Sequence, residues 1–401
     1  MVHNDRPMES IGEDEGTRDW CSQRKIRMQR RLGLFLSTLI YSLTLVLPAK
    51  GDSAEGFAAF DRGDFATAFR ELNPAAEQGN AMAQYGIGLM YARGLGVTKN
   101  DVEAARWLGF AAKQGNALAQ FNFGVMYEEG QGVPQNHSEA VNWYRLAADQ
   151  GLPSAQLFLA GMYDRGRGVP QNYFEAVIWY RKSADQGLAQ AQYGLAMMYE
   201  SGYGVPKDFG EARKWLKKAA DQGLADAQDD LGAMYVIGVD GSPGYAEAVP
   251  WFRRAANQGS THAQYILGSL YAQGKGVRQD YLQAHIWVNL AAATEQDEQK
   301  RNKYASFRDQ LAEELTPQQL AEAQRLAREW KSTTSQPGNG TPATDDAGHG
   351  LPSDSSKRRI SAASPVCQGR SKNRPPERRE SRPLRRQWML CFEGFAGAAG
   401  A

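Results

Sequence analysis

The sequence predicts an all-α fold, a right-handed α/α superhelical solenoid of stacked helical hairpins. Three observations carry that reading. Gln-Gly falls at 78–79, 114–115, 150–151, 186–187, 222–223 and 258–259, a step of 36 without slippage. Tryptophan keeps the step at Trp107, Trp143, Trp179, Trp215, Trp251 and Trp287, and tyrosine keeps it at Tyr91, Tyr127, Tyr163, Tyr199, Tyr235 and Tyr271. Between these marks, each step holds two apolar stripes of helical period separated by a glycine-rich turn. A fixed period of this size is the signature of a repeat array, in which each unit buries its apolar face only against its neighbours.

Residues 116–151 serve as the reference unit. Ala119, Phe123, Met126 and Tyr127 stand at i, i+4, i+7 and i+8, a helical stripe rather than a strand alternation. A small residue recurs inside this first helix, at Gly88, Gly124, Ala160, Ala196, Gly232 and Gly268. Glycine inside a helix costs about 1 kcal/mol against alanine, so its recurrence predicts close helix–helix approach. Gly130 supplies the C-terminal stop, and Gly132 with Val133 forms a turn bearing an apolar anchor. The second helix opens with Asn136 and Glu139 at N-cap and N3 spacing. Asn100/Glu103, Asn172/Glu175, Asp208/Glu211 and Asp280/Gln283 repeat the signal, an Asx-capped relative of the capping box. Ala140, Trp143, Tyr144 and Ala147 form its stripe, and Gln150-Gly151 closes it. Helices of about thirteen residues are marginal alone, so stability should come from stacking.

The recurring pattern A-Q-x-x-L-G-x-M-Y-x-x-G-x-G-V-P-x-(N/D)-x-x-E-A-x-x-W-x-x-x-A-A-x-Q-G resembles the Sel-one-like repeat family, a relative of the tetratricopeptide repeat. The resemblance covers residues 80–295 in six units. It implies adaptor or regulatory work, in bacteria often tied to envelope signalling, exopolysaccharide production or host interaction. Cysteine-rich relatives are described as β-lactamases; this chain lacks their paired cysteines in each repeat, so that activity is not carried over. One unit departs from the pattern: Val239-Asp240-Gly241-Ser242-Pro243-Gly244 displaces the second loop glycine.

The whole chain has 401 residues, a net charge of +1, 42% hydrophobic and 23% charged residues, totals that suit a soluble protein. Residues 1–53 read as a leader. A cluster of Arg and Lys precedes an apolar stretch at 32–47, short for a membrane span and followed by small polar residues, which is a secretory signal pattern. Gly51-Asp52-Ser53 offers the best cleavage match, an uncleaved signal anchor is the alternative, and Met28 reads as the start of the signal. Residues 54–79 form a shorter hairpin turning at Gly63-Asp64, with Phe65, Ala68 and Leu72 on the second-helix stripe and Glu71 in the tryptophan slot. Such an atypical terminal unit is a cap. At 296–330 the chain leaves the repeat. Thr316, Pro317 and Gln319 open a helix with Leu320, Ala323, Leu326, Ala327 and Trp330 on its apolar face, predicted as the C-terminal cap. Residues 331–401 turn to Ser, Pro, Gly, Thr and Arg, with 11 basic and 2 acidic groups in 357–386. That composition predicts a disordered basic tail, either an arm for a polyanion or a solvated, poorly selected extension.

Catalytic signatures are missing from the sequence. Cys21, Cys367 and Cys391 lie in the leader and the tail, no C-x-x-C or H-E-x-x-H occurs, and no glycine-rich phosphate loop follows a strand. His3, His137, His262, His285 and His349 are scattered. Asp226, Asp230 and Asp240 could gather around a metal, but a solvated acidic face is the simpler reading. The tryptophans could stack sugar rings, yet one per unit inside an alanine-rich stripe reads as core. The sequence therefore predicts no cofactor, no metal and no enzyme activity.

What varies between repeats is more informative. Four positions of each first helix, spaced +4, +3, +4, escape the packing code and are predicted to line the concave surface. Arg93, Asn122, Glu129, Phe158, Arg165, Gln190, Met197, Asp226, Asp230, His262, Ile266 and Gln273 are the candidate partner contacts. The sequence thus predicts an exported, periplasmic or secreted scaffold binding a protein or peptide on this face. One alternative is a carbohydrate- or cell-wall-binding or hydrolytic envelope protein using Asp226 and Asp230 as paired carboxylates. Another is an inner-membrane scaffold with an uncleaved leader. An envelope polysaccharide remains a candidate ligand, and export argues against nucleic acid.

Overall fold

A computed structural model describes residues 53–238 and 241–330. The leader, Asp240, the tail and the three cysteines lie outside the described residues, as do His3 and His349. The described chain consists of sixteen α-helices and contains no strand. They run α1 (Ala54–Asp61), α2 (Phe65–Glu77), α3 (Ala81–Arg93), α4 (Asp101–Lys113), α5 (Ala117–Glu129), α6 (His137–Asp149), α7 (Pro153–Arg165) and α8 (Tyr173–Asp185). Then follow α9 (Ala189–Ser201), α10 (Phe209–Asp221), α11 (Ala225–Ile237), α12 (Tyr245–Asn257), α13 (Thr261–Gln273), α14 (Tyr281–Thr294), α15 (Glu298–Glu313) and α16 (Pro317–Glu329). Consecutive helices pair as hairpins, and each hairpin packs on the next, as a solenoid requires.

The helix ends follow from the residues placed there. The side chains of Asn100, Asn136, Asn172, Asp208 and Asp280 accept the N3 backbone N–H of their helices. Reciprocal bonding, the full capping box, forms at Thr316 and Gln319 at the head of α16. First helices stop at glycines in the left-handed region, such as Gly130 at φ 72°. In the departing unit, α12 starts after Gly244 with no side-chain cap.

The core runs along the array as alanine and large apolar side chains alternate between hairpins. The recurring small residue has the predicted cause. A Cβ on Gly124 would stand 2.7 Å from the Tyr144 ring, so the first helix rests directly on the aromatic of the second. Trp107, Trp179, Trp215 and Trp287 are buried, and Trp143 and Trp251 half-buried. Lys182, Lys218 and Arg254 stand over the rings of Trp179, Trp215 and Trp251 at 4.0, 3.8 and 4.7 Å, so cations already cover these three rings of the row.

The two recurring glutamines of each unit form a side-chain ladder. Gln84, Gln120, Gln156, Gln192, Gln228 and Gln264 each donate to an alanine carbonyl of the preceding second helix at 3.0–3.2 Å. The first five accept in turn from Gln114, Gln150, Gln186, Gln222 and Gln258 at 2.6–2.8 Å. Each rung therefore ties one hairpin to its predecessor while satisfying a buried amide. Among the described residues, no helix is long and apolar enough to cross a membrane.

Candidate functional site

The candidate site is the row of first helices α3, α5, α7, α9, α11 and α13. Each is held on three sides, by its own second helix and by the helices before and after it. Only a narrow strip stays open. Arg93, Glu129 and Gln273 in the last turns are exposed; Gln190, Asp226 and His262 in the first turns are half-buried, as are Asn122, Phe158, Arg165 and Asp230. Met197 and Ile266 correct the expectation: they are 9% and 1% exposed and cannot meet a partner directly. Their slots fall mid-helix, where the neighbouring hairpins close over the strip.

The mid-helix slots work instead as joints between repeats. The residue after each buried glutamine reaches into the next unit. Tyr85 bonds Asn122, and burial pushes its hydroxyl up to about 12 despite Arg93 and that bond. Phe121 meets Phe158 edge-on at 5.1 Å, and Tyr193 donates to Asp230 at 2.7 Å. At the fifth unit the residue is Asp229, whose buried carboxylate lies 2.8 and 3.0 Å from Nδ1 of His262 and accepts from Ser260 at 3.2 Å.

An ionic cluster lies mid-row. Buried Glu128 accepts from the Tyr144 hydroxyl at 2.7 Å and faces Arg167 at 3.6 Å. Although the Glu129 residue is exposed, the packing around its carboxyl partly desolvates it, and this, then repulsion from Glu128, holds that carboxyl above its usual range. The absence of a side chain at Gly161 leaves room for Arg165, whose Nη2 would be 2.7 Å from a Cβ there. Its Nε is enclosed with no hydrogen-bond partner among the described residues. Sequence reasoning named Glu129 and Arg165 but missed Glu128, Tyr144, Arg167 and Asp229. The available signals were an acidic side chain at 128 where other units carry Ala92, Val236 or Ala272, and a carboxylate at 229 where most units carry an aromatic ring. His285, away from this row, is a buried imidazole held below its usual range by burial and then Arg308.

Among the described residues no three His, Cys, Asp or Glu side chains gather as a metal site. What the row displays is a strip of mixed polar, charged and aromatic tips, each fixed by a rigid helix, with chemistry that changes every repeat. That arrangement suits recognition of an extended ligand. Comparison with known families gives the scaffold its place. The Sel1 repeat model matches residues 81–116, 117–152, 153–188, 189–224, 225–260 and 261–293.

The chain belongs to the Sel1 repeat family. Among solved structures, it is similar to a Sel1 repeat protein from Oxalobacter formigenes at 34% identity, covering 62% of this chain and 99% of that one with a TM-score of 0.55. It also matches a protective antigen of uropathogenic Escherichia coli displaying an SLR fold, at 26% identity, 74% and 97% coverage and a TM-score of 0.35. No curated protein matches the chain. The six matched repeats correspond to α3–α14, leaving α1–α2 and α15–α16 as flanking hairpins of different sequence.

Proposed function

We propose that this Sel1 repeat array is a non-enzymatic scaffold that binds a protein or peptide along its first-helix row. The observation that carries the reading is the split within each first helix. Slots that pack repeat the same residues, whereas the open slots change from Arg93 through Glu129, Arg165 and Gln190 to Asp226 and Gln273. Extended surfaces of this kind recognise partners by summing small contacts from successive repeats. Asp230, one of the two carboxylates of the hydrolytic alternative, accepts from the Tyr193 hydroxyl of the preceding repeat at 2.7 Å. The leader pattern supports export to the periplasm or beyond, and an adaptor role in the envelope follows from that location.

A pull-down from envelope extract with the full chain tests this reading. The control carries Arg93→Ala, Glu129→Ala, Gln190→Ala and Gln273→Ala together, all at open slots. Binding of a defined protein by the wild type and at least about tenfold weaker binding by the control, with unchanged helicity, is expected. Equal retention by both would move the contact surface off this row. Robust glycan cleavage by the wild type would overturn the non-enzymatic reading.

A further inference from the structure

The charges of the first-helix row are unevenly matched. Its carboxylates are met from within the fold: Glu128 by Tyr144 and Arg167, Glu129 by Gln131 at 2.6 Å, Asp229 by His262 and Ser260, and Asp230 by Tyr193. Arg165, the cation of the third repeat, is not met. It forms no hydrogen bond and no ion pair among the described residues, although its Nε is enclosed. A partly desolvated guanidinium with five N–H donors and no acceptor is unfavourable, and an incoming acceptor relieves it.

The local structure makes room for this head group. Arg165 stands in the last turn of α7, and its side chain lies back along the helix over Gly161, with Nη2 only 2.7 Å from where a Cβ would be. The other units fill that slot with Leu89, Val125, Met197, Ala233 or Ser269. Arg93 holds the register of Arg165, but it follows Leu89 and stays exposed. Gly161 therefore lets the third repeat lay its arginine down where the first repeat must hold its own away. The two terminal nitrogens of Arg165 are neither enclosed nor bonded, so the fork faces the open strip.

Glu128 and Glu129 bear on the same neighbourhood, since the Tyr144 hydroxyl feels them together with Arg165. Two nearby carboxylates oppose a dianion such as a phosphate, whereas one guanidinium balances the single charge of a carboxylate. The two groups also match as planar forks that share parallel hydrogen bonds. We propose that Arg165 receives one Asp or Glu side chain of an extended partner, an assignment that rests on the row being a peptide-binding strip.

An array of short amidated peptides of random sequence, probed with the full chain, tests the assignment; amidation confines acids to side chains. The wild type should select peptides that carry Asp or Glu at one fixed position. Replacing that acid by its amide should weaken wild-type binding at least about tenfold. The same replacement should change binding by Arg165→Met less than about twofold, because the fork is already gone. Arg165→Lys, which keeps the charge, should still prefer the acid. Selection without an acidic position overturns the proposal. So does an amide penalty as large in Arg165→Met as in wild type, which would show that another group receives the acid. The fourfold alanine variant of Arg93, Glu129, Gln190 and Gln273 leaves Arg165 in place. Loss of the selected peptides by that variant therefore reports on the row, and the penalty ratio reports on Arg165, so the two readings fail separately.

Discussion

The joint between the second and third repeats and the joint between the fifth and sixth occupy the same register yet are held by different physics. In the first, Phe121, Phe158 and Tyr144 pack ring against ring at centroid distances of 5.1–5.8 Å. In the second, the corresponding slots hold Asp229, Ile266 and Phe252, all buried, and Asp229 is met by His262 and Ser260. The lesson is that the solenoid fixes where a joint stands but not how it is held. Any residue works if its neighbour across the joint completes it. An aromatic joint is indifferent to pH and salt; a joint with an enclosed carboxylate depends on its partner remaining in place.

The largest expected effect lies at the aromatic joint. Phe121→Ala removes a buried ring touching two others, and chemical denaturation should show a loss of about 4 kcal/mol. The loss should be the same at low and high salt. A salt-dependent loss would mean that the Glu128–Arg167 pair, not ring packing, holds this joint.

At the polar joint, His262→Ala withdraws the imidazole from an enclosed carboxylate and should cost about 3 kcal/mol. Ser154→Ala, the same register slot at the aromatic joint, should stay within about 0.5 kcal/mol. Exchanging both partners at once, Asp229→Phe with His262→Ser, should recover most of the loss, since apolar packing can replace a buried pair at little net cost. If His262→Ala proves as mild as Ser154→Ala, the contrast between the joints collapses.

These joints also mark how far the sequence was readable. Helix boundaries followed from period and capping because those signals are local: Asn136 and Gly130 act on their own backbone. The N-terminal hairpin and α16 were readable for the same reason, through Gly63 and Thr316, whereas α15 was not read from its residues. The candidate row was half readable. Spacing placed Arg93, Glu129 and Gln273 at open slots, but it also placed Met197 and Ile266 there, because periodicity assigns a face and not the depth to which neighbours cover it. Asp229 was missed for the opposite reason. A lone carboxylate in an aromatic slot looks like an exposed exception, and its partner lies 33 positions away. The register then makes the pair plain: His262 stands one repeat on, in the first turn of the next first helix.

The same logic applies where the array stops. Gln264 is the sixth rung of the glutamine ladder and is 1% exposed, yet its Oε1 has no hydrogen-bond partner among the described residues. Units before it receive a donor thirty residues later, as Gln120 does from Gln150. The corresponding position here is Thr294, whose hydroxyl turns back to the Leu290 carbonyl at 2.9 Å. An enclosed acceptor without a donor is a standing cost. Thr294→Gln should complete the rung and stabilise the C-terminal end by about 1 kcal/mol. Gln150→Ala is its mirror, stripping the donor from Gln120 and costing about 2 kcal/mol. If Thr294→Gln leaves stability unchanged while Gln150→Ala destabilises, the last rung must already be satisfied by water. The ladder's value would then lie in orienting consecutive hairpins rather than in saturating buried amides.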